Sequence, residues 1–154
     1  MIDSNKIIAI FQMIASRVVN FKLETKEVGK NKEKVNIKND FDYEVIKLEE
    51  HDEAYYGVVQ FKSNFVAKKG KSILFKINIV YEGKFIGDKN ALKQEDFKKM
   101  LELNGVVALS QFTRSYVLSA TALAGINPPV RMPMINIHQL RKLKEEEMKQ
   151  SEKA

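Results

Sequence analysis

Asn104 to Ile137 reads NGVVALSQFTRSYVLSATALAGINPPVRMPMINI, and this stretch decides the fold. Val106, Leu109, Thr113, Tyr116, Ala120 and Leu123 recur at intervals of three and four, the apolar stripe of a helix. A second line, Phe112, Val117, Leu118 and Thr121, is also largely apolar, and Arg114 is the only charged residue between Gly105 and Ala124. A helix resting on one sheet should keep a polar back. This one predicts cover on more than one side, and self-association of long helices supplies it. The expected interface is Val106, Leu109, Phe112, Tyr116, Val117, Ala120 and Leu123, with small residues such as Ser115, Ser119 and Ala122 allowing close approach.

Gly125 is placed to terminate the helix, and Asn127-Pro128-Pro129 forbids its continuation. Val130 to Ile137 is apolar and carries Pro133 without a helical period. It either packs flat over its own domain or rims a groove. Asn136 can cap a last helix over Ile137 to Gln150, whose narrow stripe is Ile137, Leu140, Leu143 or Lys144, and Met148. Ser151 to Ala154 is expected to fray.

Working back toward the start, the pattern changes to strands. Val35, Ile37, Phe41, Tyr43 and Val45 alternate with Asn36, Lys38, Asp40, Asp42 and Glu44, broken on the apolar side only by Asn39. That is a strand covered on one face and wet on the other. Phe11 to Glu24 reads as a strand whose phase slips near Arg17–Val19, which a bulge explains. Tyr55 to Ala67 and Ser72 to Phe85 read as a third and fourth strand around the Lys68-Lys69-Gly70-Lys71 turn. A lysine-rich loop is expected around Gly29. Short connections predict an antiparallel meander. Gly87, Asp88 and Asn90 read as a linker, Leu92 to Leu103 as a short helix, and Asn104-Gly105 as its break. The fold class is therefore α+β: a four-stranded antiparallel sheet, then a long helix, a crossover loop and a second helix, in one domain over residues 1–154.

The 154 residues include no cysteine, which excludes disulfides and thiol chemistry. No apolar run reaches the roughly 18 residues that crossing a membrane takes. The start, with Asp3 ahead of Lys6 and Gln12 interrupting a short apolar run, reads as a mature cytoplasmic start. The net charge of +6 comes from closely mixed lysine and glutamate, with no single-sign block. This argues against a nucleic-acid footprint.

No catalytic constellation is visible, so an enzyme is not expected. His51 sits in the acidic turn Glu49-Glu50-His51-Asp52-Glu53, and His138 stands alone near the last helix. Two histidines without further ligands do not make a metal site. Asp40, Asp42 and Glu44 read as a plain polar sheet surface. No phosphate loop or nucleophile elbow is present, and no cofactor is implied. What remains is apolar binding surface. Methionine adapts to varied partners, and Met132 and Met134 flank Pro133, with Tyr55, Tyr56, Tyr81 and Phe85 as candidates for a groove floor. An apolar groove beside a strand edge can hold an extended peptide by backbone bonds and side-chain burial together.

The chain resembles the SecB family of protein-export chaperones. Phe11-Gln12 and Asn20-Phe21-Lys22-Leu23-Glu24 resemble the start and end of that family's first strand. Phe75 to Tyr81 with Gly83 and Phe85 resemble its fourth strand, and Phe112-Thr113-Arg114 its long helix. Gly125-Ile126-Asn127-Pro128 and Pro133-Met134-Ile135-Asn136-Ile137 resemble its helix break and crossover loop. The resemblance implies a cytoplasmic chaperone, assembled as a homotetramer that is a dimer of dimers, and the missing phosphate loop makes the expected chaperone ATP-independent. Unfolded or precursor polypeptides would lie in grooves lined by Val130, Met132, Met134, Ile135 and Leu140. It further implies hand-over to the SecA motor through an acidic sheet face and a distinct tail. The chain departs from the pattern there: Lys38, Lys62 and Lys76 sit among the acids of the sheet, and the tail is short. SecB-like proteins also include chaperones that hold an antitoxin. Export of unfolded precursors is the leading expectation, and a chaperone dedicated to an antitoxin or other single partner is the alternative. A nucleic-acid-binding sheet using Tyr55, Tyr56 and Phe61 is the remaining alternative.

Overall fold

A computed structural model describes residues 1–26 and 34–154 of the chain. The loop expected around Gly29 lies outside the described residues. Four long strands, β1 (Phe11–Thr25), β2 (Val35–Glu50), β3 (Ala54–Lys69) and β4 (Ser72–Asp88), form one antiparallel sheet. A short helical turn, Ser4–Lys6, precedes them.

The strand order is β1-β4-β3-β2, which corrects the meander expected from short connections. Only β2, β3 and β4 follow one another; β1 returns to lie beside β4. Alternation reports which face a residue takes but not which strand lies next to it. β1 carries two register shifts, at Ile14 and at Val19, where the phase slip predicted one. β2 carries another at Ile46 and runs on to Glu50, past the alternation that ends at Val45.

One face of the sheet is apolar. Val59, Phe61 and Phe65 of β3 and Ile77, Ile79 and Phe85 of β4 are buried there. Across this face lies one helical body: α1 (Gln94–Met100), a π-helical turn (Leu101–Gly105) and α2 (Val106–Leu123). Asn104-Gly105 therefore does not break the helix. Gly105 keeps helical angles, and a side chain there would meet Phe85 and Val59 at 3.3–3.4 Å. Its glycine serves close approach to the sheet. Gly87 does the same from within β4, where a Cβ would come within 2.5 Å of the Phe97 ring. It is an in-strand residue and not a linker.

Gly125, at φ +83°, ends α2 as expected. Its N–H donates to the Ala122 carbonyl at 3.2 Å, and the Ile126 N–H to that of Thr121 at 3.0 Å, the paired bonds of a Schellman motif. Asn136 caps α3 (Ile137–Lys153) by accepting from the Gln139 N–H at 3.0 Å. No helix among the described residues is long and apolar enough to cross a membrane.

Candidate functional site

The crossover segment lies across the side of α2 that faces β2. Thr121, fully buried, anchors it: its Oγ1 accepts from the Val130 N–H at 2.9 Å and donates to the Val117 carbonyl at 2.7 Å. From there the chain alternates. Val130 and Met132 point inward and are buried, while Arg131, Pro133 and Met134 point outward. Ile135 is half-buried and Ile137 returns to the core. Met134 is 71% exposed, and its sulfur accepts from Arg114 Nη1 at 3.2 Å.

The proposed groove residues therefore divide. Val130 and Met132 belong to the subunit's own core, and Met134 is the member presented to solvent, with Ile135 and Leu140 half-buried beside it. Tyr55 and Phe85 lie under the start of the helical body: Tyr55 stacks on Phe97 at 5.4 Å, and Phe85 on Phe11 at 5.0 Å. Tyr56 is on the opposite face of the sheet, against His51. Period two puts neighbouring tyrosines on opposite faces, so both cannot floor one groove.

Beside the segment, α3 is held over β2 mainly by charge. Ile137 is its only buried residue. The π-turn brings Glu102 under α3, where Arg141 Nε donates to its Oε2 at 2.7 Å. That bond, more than any other contact, raises the Arg141 pKa. Tyr43 lies below; burial first, and the Glu102 charge second, push its phenol far above the ordinary value. Lys144 pairs with Asp42 at 2.6 Å. Beyond these contacts a groove of about 520 Å³ opens between β2 and the second half of α3. Val45, Ile46, Leu48 and Met148 give it apolar lining, among the charged side chains of Lys98, Glu102, Lys144 and Glu145. β2 is the last strand of the sheet, so its outer main-chain edge borders this groove.

These charged residues escape a sequence reading. Lys144 and Asp42 are 102 positions apart. Glu102 alone offers a local signal, as an acid between Leu101 and Leu103.

Of the expected self-association surface, Val106, Leu109 and Val117 are fully buried against the chain's own sheet, and Ala120 is half-buried. Phe112, Tyr116 and Leu123 remain exposed, at 40, 37 and 89%. Tyr116 meets Phe21 edge-on at 5.0 Å, so this uncovered strip of α2 runs along β1.

The other sheet face is mixed: Ile14, Ile46, Tyr56 and Val58 stand among charged residues that are paired with one another. Arg17 and Gln60 both donate to Glu82, at 2.8 and 3.0 Å, and Lys62 to Glu44 at 2.8 Å. Burial pushes the Glu82 carboxyl up, but those two hydrogen bonds outweigh it and hold the group below the usual carboxylate range.

Among solved structures, the chain is similar to the Mycobacterium tuberculosis SecB-like chaperone Rv1957 in complex with a ChAD peptide from the Rv1956 HigA1 antitoxin. The TM-score is 0.62 at 16% identity, over 82% of this chain and 91% of that one. The fold is SecB-like. A protein of unknown function from Streptococcus agalactiae is also similar, with TM-score 0.47 and 12% identity over 80% of this chain and 97% of that one. No protein-family model matches the chain, and no curated protein does. At 16% identity the likeness is one of fold. Among the described residues no group of three potential metal ligands comes together.

Proposed function

We propose that this protein is a SecB-like chaperone that holds an extended segment of a partner polypeptide, without nucleotide, in the groove between β2 and α3. The observation that carries this reading is the pairing of an open strand edge with apolar walls at Val45, Leu48 and Met148, in a fold shared with a chaperone solved with a peptide. The edge supplies sequence-blind backbone bonds, and the walls supply burial. Met134, exposed on the crossover segment against Arg114 of α2, lies outside the lining of that groove and offers a separate apolar contact to a longer polypeptide.

The partner we favour is a single dedicated polypeptide, such as an antitoxin, ahead of export precursors at large. The fold likeness to an antitoxin-binding chaperone supports this. So does the outer sheet face, where Lys62 and Arg17 pair with Glu44 and Glu82 and offset the acidic character that a motor such as SecA would need. The reading includes a cytoplasmic location and a homo-oligomer, up to a dimer of dimers, built on Phe112, Tyr116 and Leu123.

Affinity capture from the native host, followed by titration of the recovered partner, tests the reading. One partner bound far more tightly than a reduced, unfolded client supports it. Many partners of equal, weak affinity restore general export. No suppression of client aggregation and no captured partner reject both.

A further inference from the structure

The edge of β2 is not open along its whole length. At Tyr43 the main-chain N–H donates to Asp42 Oδ1 at 2.8 Å. The Tyr43 carbonyl accepts from Lys144 Nζ. The same ammonium pairs with Asp42 Oδ1 and stands 5.0 Å from the centroid of the Tyr43 ring. One aspartate and one lysine thus occupy both main-chain groups of a single edge residue. Edge strands commonly carry lysine to refuse an incoming strand. Here the lysine arrives from α3, a different element, so the block can be withdrawn without disturbing the sheet.

We propose that Asp42 and Lys144 form a guard on the edge of β2, and that a client strand extends past Val45 only by displacing Lys144 from Tyr43. This rests on the chaperone reading above and adds how entry to its groove is controlled. Two features make the guard displaceable. The side chains of Asp42 and Lys144 are 57% and 22% exposed, so the ion pair is partly solvated and weak. Arg141 remains bonded to the more buried Glu102, so α3 stays docked while Lys144 swings away. The occupant is an extended polypeptide, because the groups released are one backbone donor and one backbone acceptor.

The test titrates a fluorescent, uncharged peptide of alternating valine and threonine against wild type, Lys144→Met, Lys144→Arg and Asp42→Asn. An uncharged probe removes direct charge attraction from the salt dependence. In wild type, added salt should tighten binding, since it screens the guard. Lys144→Met should bind roughly three- to ten-fold tighter at low salt and lose the salt response. Asp42→Asn keeps an acceptor for the Tyr43 N–H but loses the pair, and should fall between. Lys144→Arg should restore wild-type behaviour. Amide exchange of α3 should be unchanged in Lys144→Met; release of α3 would make any gain an undocking effect and overturn the guard. Equal binding by all four proteins overturns the guard and leaves the chaperone reading standing. Absence of peptide binding in every protein, Lys144→Met included, overturns the guard, because the freed edge then takes no strand; the chaperone reading is decided separately by affinity capture of a dedicated partner.

Discussion

The sheet has two edge strands, and the chain treats them differently. Along β1, the neighbouring surface is apolar: Ile14 and Val19 are exposed at its register shifts, and Phe112, Tyr116 and Leu123 flank it from α2. Along β2, access is governed by charge: α3 lies above it, held by Arg141 on Glu102 and Lys144 on Asp42. Apolar surface of the first kind favours a partner that stays. Partly solvated ion pairs are weak enough to exchange. On the proposed reading, β1 faces another copy of the chain and β2 faces the client.

The largest effect comes from breaking the platform both edges share. Leu101 is fully buried, and a side chain on Gly57 would overlap it. Leu101→Ala should cost about 2–5 kcal/mol, read as a shift in denaturant midpoint. Because Leu101 adjoins Glu102, amide protection of α3 should fall more than that of β1. Equal loss at both would deny that the π-turn serves the β2 side in particular.

Next comes the β1 side. Phe112→Asp with Tyr116→Asp places charge in the exposed apolar strip. If that strip is the self-association surface, the dissociation constant should rise at least about thirty-fold, read by solution mass. A monomeric wild type would dissolve the contrast between the edges.

How much of this was legible follows from what sequence patterns report. The strands were readable, because alternation over β2 and β3 marks a covered and a wet face. The Gly125 stop and the Asn136 cap were readable, because each depends on one local residue. The continuity from α1 to α2 was not. Asn104-Gly105 is a turn dipeptide by local chemistry, and only the approach of Phe85 and Val59 explains a glycine in helical conformation there. The inward turn of Val130 and Met132 depends on Thr121, one of several hydroxyls along α2 that local pattern does not tell apart. The charged contacts over β2 join residues 39 and 102 positions apart, and beyond Glu102's place between two leucines no local pattern announces them.

A smaller effect separates the two methionines of the crossover segment. Met134→Ser should leave stability within about 0.5 kcal/mol, since its side chain is already in water. It should weaken client binding by about 1–2 kcal/mol, part of the value of a fully buried apolar side chain. Met132→Ser should instead lower stability, with any loss of binding following from that. The reverse pattern would mean that the segment turns over when the client binds.

The smallest effect concerns the joint between β1 and β4. Glu82 faces the outer side of the sheet, with Arg17 of β1 and Gln60 of β3 both donating to it. Its pKa in the folded chain is lowered, so the unfolded chain binds the proton more tightly. The stability this contributes is fully present above the ordinary value of 4.5 and is lost as the pH falls through the lower folded value. Arg17 is 68% exposed, so solvent screens the pair and the contribution should be about 1 kcal/mol. Glu82→Gln should therefore be less stable than wild type by about that amount at neutral pH, and the gap should close on acidification. Thermal unfolding across that range measures it. If β1 is the permanently covered edge, the same titration in the Phe112→Asp, Tyr116→Asp background should show a larger Glu82 effect, because without a neighbouring copy β1 depends more on its own bonds to β4.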